Sequence, residues 1–219
     1  LQNSDGEIQC SEATAYSGGI SVPLSGISDL TGIEAFVNII SLDCNSNSLT
    51  SLNVTQNIYL TSLNCRLNQL SNLNLASNTA LTSLICSNNL LNSLDVSANT
   101  ALTNLSCGYN NISSIDLSSN TALVFLEVSF CPLTSIDLTN NIAIQSLNLW
   151  NDYLTNIDLS NNVALESFTC NGNLLTSLDL SNNPALNQFT CTYNLQLTSL
   201  NLRNGNNTNL LGVNFNATV

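Results

Sequence analysis

The side chains in this chain that could do chemistry are eight cysteines and fourteen carboxylates, set against two arginines and no lysine or histidine. A serine or cysteine nucleophile needs a neighbouring base, and Arg66 and Arg203 are the only basic side chains, which argues against a hydrolase. Catalysis by His or Lys is excluded, and so are His-ligated metal sites. A net charge of -12 argues equally against nucleic acid as a partner, since holding phosphate backbones takes clustered Lys and Arg. No apolar run approaches the roughly 20 residues that span a bilayer.

The cysteines are evenly spaced. Cys44, Cys65, Cys86 and Cys107 stand 21 residues apart, and the step continues through Val128, Leu149, Cys170 and Cys191. Positions where Val and Leu substitute for Cys are apolar positions, and free Cys is a small hydrophobe. Stacked cysteines on parallel strands point their Cβ atoms alike, a poor approach for a disulfide, and sulfurs in a line cannot surround an ion tetrahedrally. Buried free thiols are therefore expected. Cys10 has no obvious partner.

Two further sets of side chains share the step. Asp95, Asp116, Asp137, Asp158 and Asp179 form a column holding five of the nine aspartates. At a spacing of about 5 Å neighbouring carboxylates repel by roughly 1 kcal/mol in water. Uncompensated, that would raise their pKa values and attract cations or a cationic partner. The alternative is that each accepts hydrogen bonds from backbone N–H groups or from Ser97, Ser118 and Ser160. A hydroxyl-rich column, Thr50, Ser71, Asn92, Ser113, Thr134, Thr155, Thr176 and Thr198, is either ordinary strand surface or an array that orders water, as in ice-binding solenoids.

Aromatic residues break the polar pattern in the middle of the chain. Tyr109, Phe125, Phe130, Trp150 and Tyr153 fall where other repeats hold small polar residues, with Glu127 and Asp152 nearby and Tyr193 further along. Large aromatics on an otherwise small polar surface mark a contact patch for a protein or a glycan. The competing reading tucks Phe125 and Phe130 into turns.

These columns require a repeating scaffold. Each unit reads L-x-x-L-x-C-x-x-N-x-L-x-x-L-D-L-x-x-N-x-A, and Asn accounts for 39 of the 219 residues. In Leu84-Ile85-Cys86 alternate residues point inward, as on a strand. The Asn three residues after each Cys (Asn47, Asn68, Asn89 and Asn110, then Cys131, Asp152, Asn173 and Asn194) can bond the backbone of its own turn and of the next coil.

Leu81 to Asn89 resembles the leucine-rich repeat signature, and Leu91 to Asn99 matches it again. The nesting resembles the 21-residue bacterial subclass over about residues 39–215. The resemblance implies a mainly β leucine-rich repeat solenoid of about eight coils, roughly 40 Å long, with parallel sheets and little helix. It also implies a non-catalytic recognition or adhesion module, secreted or on a bacterial cell surface. The other readings are a spacer in a larger surface protein and, lowest, an ice-binding face. A monomer is expected.

The solenoid needs caps. Residues 1–38 are expected as the N-terminal cap, 39–209 as the repeats and 210–219 as a closing strand, with no second domain. In the N-terminal cap, Leu1 to Glu12 resembles an EF-hand or dockerin-type calcium loop, with Asn3, Asp5, Glu7 and Glu12 as ligands, Gly6 at the turn and Ile8 as the apolar position. Leu1 departs from that pattern, which has Asp there. The resemblance implies Ca2+ as the one candidate cofactor.

Overall fold

The computed structural model describes residues 8–208 and 211–214. It is a parallel β-solenoid of coils stacked one on the next. A short helix, α1 (Cys10–Ala15), precedes β1 (Gly19–Ser21) and a 3-10 turn (Ile33–Ala35). Three-residue strands then recur at 21-residue steps: β2 (Ser41–Asp43), β3 (Ser62–Asn64), β4 (Ser83–Ile85), β5 (Asn104–Ser106), β6 (Phe125–Glu127), β7 (Ser146–Asn148) and β8 (Ser167–Thr169). The chain continues through β9 (Ser177–Asp179), β10 (Gln188–Thr190), β11 (Ser199–Asn201) and β12 (Leu211–Asn214). Strands β1 to β8, then β10 and β12, make one ten-stranded parallel sheet, in register from β1 to β10.

The register stacks Leu42, Leu63, Leu84, Leu105, Leu126 and Leu147 in one buried row, continued by Phe168 and Phe189. The cysteine column lies beside it, buried, and all eight cysteines are free. Only Cys10 is exposed. Each inward Leu contributes about 1.5–3 kcal/mol by leaving water, repeated along the rod.

Two ladders of buried asparagine hold the corners. In the first, Asn68 donates from Nδ2 to the carbonyls of Cys44 (3.1 Å) and Cys65 (3.0 Å), and its Oδ1 accepts the N–H of Leu49 at 2.9 Å. One side chain thus ties three points on two coils, as its place in the repeat suggests. The second ladder is Asn57, Asn78, Asn99, Asn120, Asn141, Asn162, Asn183 and Asn204, all buried. Asn78 Nδ2 donates to the carbonyls of Val54 and Asn57, both at 2.9 Å.

That second ladder limits the second of the expected parallel sheets to one pair of strands among the described residues. The second half of the repeat pairs as strand only between β9 and β11, where the step is 22 residues. In the other coils the carbonyls after the second strand-like segment, such as those of Val54, Leu75 and Val96, are taken by the amides of Asn78, Asn99 and Asn120. Side chains there meet the backbone demand that a sheet would otherwise meet.

Both ends of the chain add strands to the main sheet. Residues 1–38 lack the 21-residue pattern, yet β1 joins the main sheet, Ile20 pairing with Leu42. Asn47 extends the first ladder into this region, donating to the Val22 carbonyl at 2.8 Å and accepting from Ile27 at 2.9 Å. Strand β12 pairs with β10 through a register shift.

Candidate functional site

Strands β2 to β8 and β10 each lead into a sharp bend at one residue with positive φ. The column is Ser46, Leu67, Asn88, Tyr109, Phe130, Asn151, Gly172 and Tyr193, all at φ between 54° and 68°. Asn and Gly suit the left-handed region; Tyr and Phe do not, and holding bulky residues there costs roughly 1–2 kcal/mol each. Tyr109, Phe130 and Tyr193 therefore stand at strained positions along a ridge beside the sheet. Such strain persists only where the surroundings over-determine it.

On that ridge the rings meet. Tyr109 stacks on Phe130, centroids 4.3 Å apart and planes 14° from parallel. Phe130 meets Trp150 edge-on at 5.0 Å. Tyr109 and Trp150 remain 47 % and 45 % exposed, and Phe130 between them is half-buried. Beside the ridge lies a groove of about 480 Å³ over the outer face of β4 to β7. Its walls include all three rings together with Phe125, and Glu127 is set among Ser87, Ser106 and Ser129.

Glu127 is fixed by neutral donors. Its Oε2 accepts the Ser106 hydroxyl (2.6 Å), the Ser87 hydroxyl (3.1 Å) and the Gly108 N–H (3.4 Å). Its Oε1 accepts the Ser129 N–H at 3.1 Å. A Cβ at Gly108 would collide with Glu127 Oε1 and press on the Ser129 carbonyl, so glycine is required there for space. A preset, half-buried carboxylate results.

The structure thus brings Tyr109, Phe125, Glu127, Phe130 and Trp150 together. Tyr153 is exposed but does not line the groove. Asp152 is a correction: expected on the contact patch, it is 1 % exposed and cannot meet a ligand. It occupies the first Asn ladder, where an inward side chain is required, and its Oδ1 accepts the Cys131 N–H at 2.8 Å. Burial pushes its carboxyl up to about 7; the Cys131 N–H opposes this, and the charge of Glu127 adds to it. Its Oδ2 is buried with no hydrogen-bond partner.

Ser87, Ser106, Ser129 and Arg66 line the groove and Gly108 packs against Glu127, and sequence did not place any of them at the site. Gly108 was the available signal. Its column otherwise reads Asn45, Arg66, Ser87, Ser129, Trp150, Asn171 and Thr192, with no other glycine.

The remaining candidates fall elsewhere. Asp95 Oδ1 accepts the Ser97 N–H at 2.9 Å, and Asp116, Asp137, Asp158 and Asp179 repeat the bond with Ser118, Thr139, Ser160 and Ser181. Hydrogen bonds to these Ser and Thr residues hold all five carboxyls below the ordinary value of 3.8, so the column is compensated rather than raised. Burial pushes the Cys44 thiol up to about 12 and that of Cys131 up to about 11. Thiols of that kind are poor nucleophiles at neutral pH. In the hydroxyl-rich column, Thr198 Oγ1 donates to the Thr176 carbonyl at 3.2 Å.

Of the calcium-loop candidates, Asn3, Asp5 and Glu7 lie outside the described residues. The Glu12 carboxylate accepts the Gln9 N–H at 3.1 Å, closing a capping box on α1. Among the described residues no group of three His, Cys, Asp or Glu side chains could hold a metal ion, and no helix is long and apolar enough to cross a membrane.

Parallel coils, the L-x-x-L-x-C-x-x-N unit and a buried Asn ladder define a leucine-rich repeat solenoid. The functional domain of InlJ from Listeria monocytogenes, described as including a cysteine ladder, is 29 % identical with a TM-score of 0.61, covering 88 % of this chain and 54 % of that one. The Leptospira interrogans leucine-rich repeat protein LIC12759 matches at 20 % identity and TM-score 0.68 over 89 % of this chain and 56 % of its own. Internalin C2 of Listeria monocytogenes gives 20 % and 0.70, covering 84 % and 83 %. The chain thus spans about half the length of the first two. No family model matches it, and no curated protein does.

Proposed function

We propose that this chain is a non-catalytic recognition module, secreted or displayed on a bacterial surface, that binds a protein ligand in the groove beside the ridge of Tyr109, Phe130 and Trp150. The observation that carries this reading is the strained aromatic ridge. Tyr109 and Phe130 occupy a left-handed position that Asn88 and Asn151 fill in the coils on either side, at a cost to folding, and the ring at each end of the ridge stays open to water. Likeness to the InlJ domain supports a surface or secreted setting.

A protein and glycan array probed with the purified module tests it. Capture of a protein feature by the wild type, lost when Tyr109 and Trp150 are both replaced by Ala, is the expected result. Capture that survives the double replacement would count against the groove. An array on which the wild type captures nothing would favour the spacer reading, and capture of glycans alone would replace the ligand class.

A further inference from the structure

We propose that the groove receives a cationic side chain, an arginine or lysine of the protein partner, whose head group sits against Glu127 while the aromatic ridge flanks it. The inference rests on the recognition reading above and specifies the chemistry of that site.

Glu127 carries the argument. Its column along the sheet reads Asp43, Asn64, Ile85, Ser106, Glu127, Asn148, Thr169 and Thr190, so the one carboxylate in the middle of the sheet falls in the coil that also carries Phe125 and Phe130. The hydrogen bonds it accepts come from hydroxyls and backbone amides, which orient the carboxylate without cancelling its charge. Three of them converge on Oε2 and one on Oε1, which leaves Oε1 an acceptor position for a single N–H. A preset carboxylate gains most from a full positive charge, because a charge-assisted hydrogen bond is about twice as strong as a neutral one.

The rings point the same way. Aromatic rings attract a cation within about 6 Å of the ring centroid, and arginine most often fills that role. Glu127 separates a cation from a sugar: a sugar hydroxyl offers the carboxylate a neutral donor, whereas a guanidinium or ammonium brings a full positive charge. Arg66 borders the groove beyond β3, three strands from β6, about 14 Å at ordinary strand spacing. That leaves the Glu127 end for a cation from outside. Net charge completes the case, since a chain at -12 with two arginines steers basic partners toward itself.

Trp150 is the only tryptophan, so intrinsic fluorescence reads this site directly. The probes are a tri-arginine peptide, its tri-citrulline counterpart of the same shape without charge, and methyl glucoside. We expect a saturable fluorescence change with tri-arginine, weakened at least tenfold in Glu127→Gln, unchanged in Asp116→Asn, and absent with tri-citrulline. Glu127→Gln can still accept the serine hydroxyls; should it melt early, Phe130→Leu replaces it, with a several-fold loss expected. Equal affinity of wild type and Glu127→Gln, equal response to tri-citrulline, or saturation by methyl glucoside alone would overturn the cation assignment. If the array captures a protein through Tyr109 and Trp150 while tri-arginine gives no response, the cation inference fails and the recognition reading stands. If neither binds, both fall.

Discussion

Around Cys65 and Cys86 the coils keep their repeat residues, whereas between Gly108 and Tyr153 five columns change together. The ladder positions Asn68 and Asn89 become Cys131 and Asp152; the inward cysteines become Val128 and Leu149. The outward Ser83 and Ile85 correspond to Phe125 and Glu127, and the bend residue Asn88 to Tyr109 and Phe130. All the replaced inward residues remain buried. The second Asn ladder meanwhile runs through the same coils without a break, at Asn120, Asn141 and Asn162. A solenoid can thus remodel one edge for binding while the opposite corner keeps the coils in register, because each coil depends mainly on its nearest neighbours.

The largest effect should come from removing a member of the regular ladder. Asn89 accepts the Leu70 N–H at 2.9 Å and donates to the carbonyls of Cys65 and Cys86, both at 3.0 Å. Asn89→Ala strands three buried backbone groups, each worth about 1 kcal/mol or more, so urea denaturation should show a loss of about 3 kcal/mol. A loss below about 1 kcal/mol would mean the ladder is not what ties the coils.

Asp152→Asn is the matching test in the altered region, and it should stabilise. The folded state holds Asp152 with its pKa pushed up to about 7, against 3.8 for the ordinary carboxyl. Between those values the native chain binds a proton that the unfolded chain has released, so stability falls as pH rises through that window and then levels off. The wild type should lose on the order of a few kcal/mol from pH 4 to 7 on this account, and Asp152→Asn should flatten the slope. Thermal melts across that range read it out. An unchanged slope in the variant would place the titration elsewhere.

How much of this was legible depends on whether a residue's role repeats. Leu84, Cys86 and Asn89 recur every 21 residues, so their inward placement followed from spacing alone, and the main parallel sheet with it. The second ladder was present in the repeat formula as the Asn of N-x-A, yet its effect on the second sheet depends on which carbonyls Asn78 and Asn99 reach, and spacing does not give that. Asp152 was misread for the opposite reason. Its charge suggested surface while its column, shared with Asn89, required burial, and the column decided. The aromatic patch was visible as a break in pattern. The serines around Glu127 were not, since Ser87 and Ser106 are ordinary in this chain until Gly108 makes room for the carboxylate.

A smaller effect separates the two regions at the bend column. Leu67 is 43 % exposed at φ 55° in the regular stretch, with no ring beside it among the described aromatic pairs. Leu67→Gly should therefore stabilise by about 1 kcal/mol. Phe130→Gly relieves the same strain but gives up contacts with Tyr109 and Trp150, each worth about 0.5–1.5 kcal/mol, so its net change should be near zero or slightly destabilising. Differential scanning calorimetry of the two variants checks it. If Phe130→Gly stabilises as much as Leu67→Gly, the ridge is held without help from its own stacking.

The smallest effect concerns the exposed aspartates. Hydroxyl and amide hydrogen bonds hold the carboxyls of Asp95, Asp116, Asp137, Asp158 and Asp179 below 3.8. A depressed pKa stabilises above the unfolded value and is lost as pH falls through the folded one, so this column affects folding only below about pH 4. Its slope is opposite in sign to that of Asp152 and lies lower on the pH axis. Asp116→Asn keeps an oxygen to accept the Ser118 N–H, so its melting temperature at pH 7 should match the wild type with or without added salt. A melting temperature that rises by several degrees in salt at pH 7 would show that repulsion along the column is not compensated. One pH scan of the wild type therefore separates the two kinds of aspartate: an acid limb from those that cap the turns, and a descending neutral limb from the one that replaces an asparagine inside.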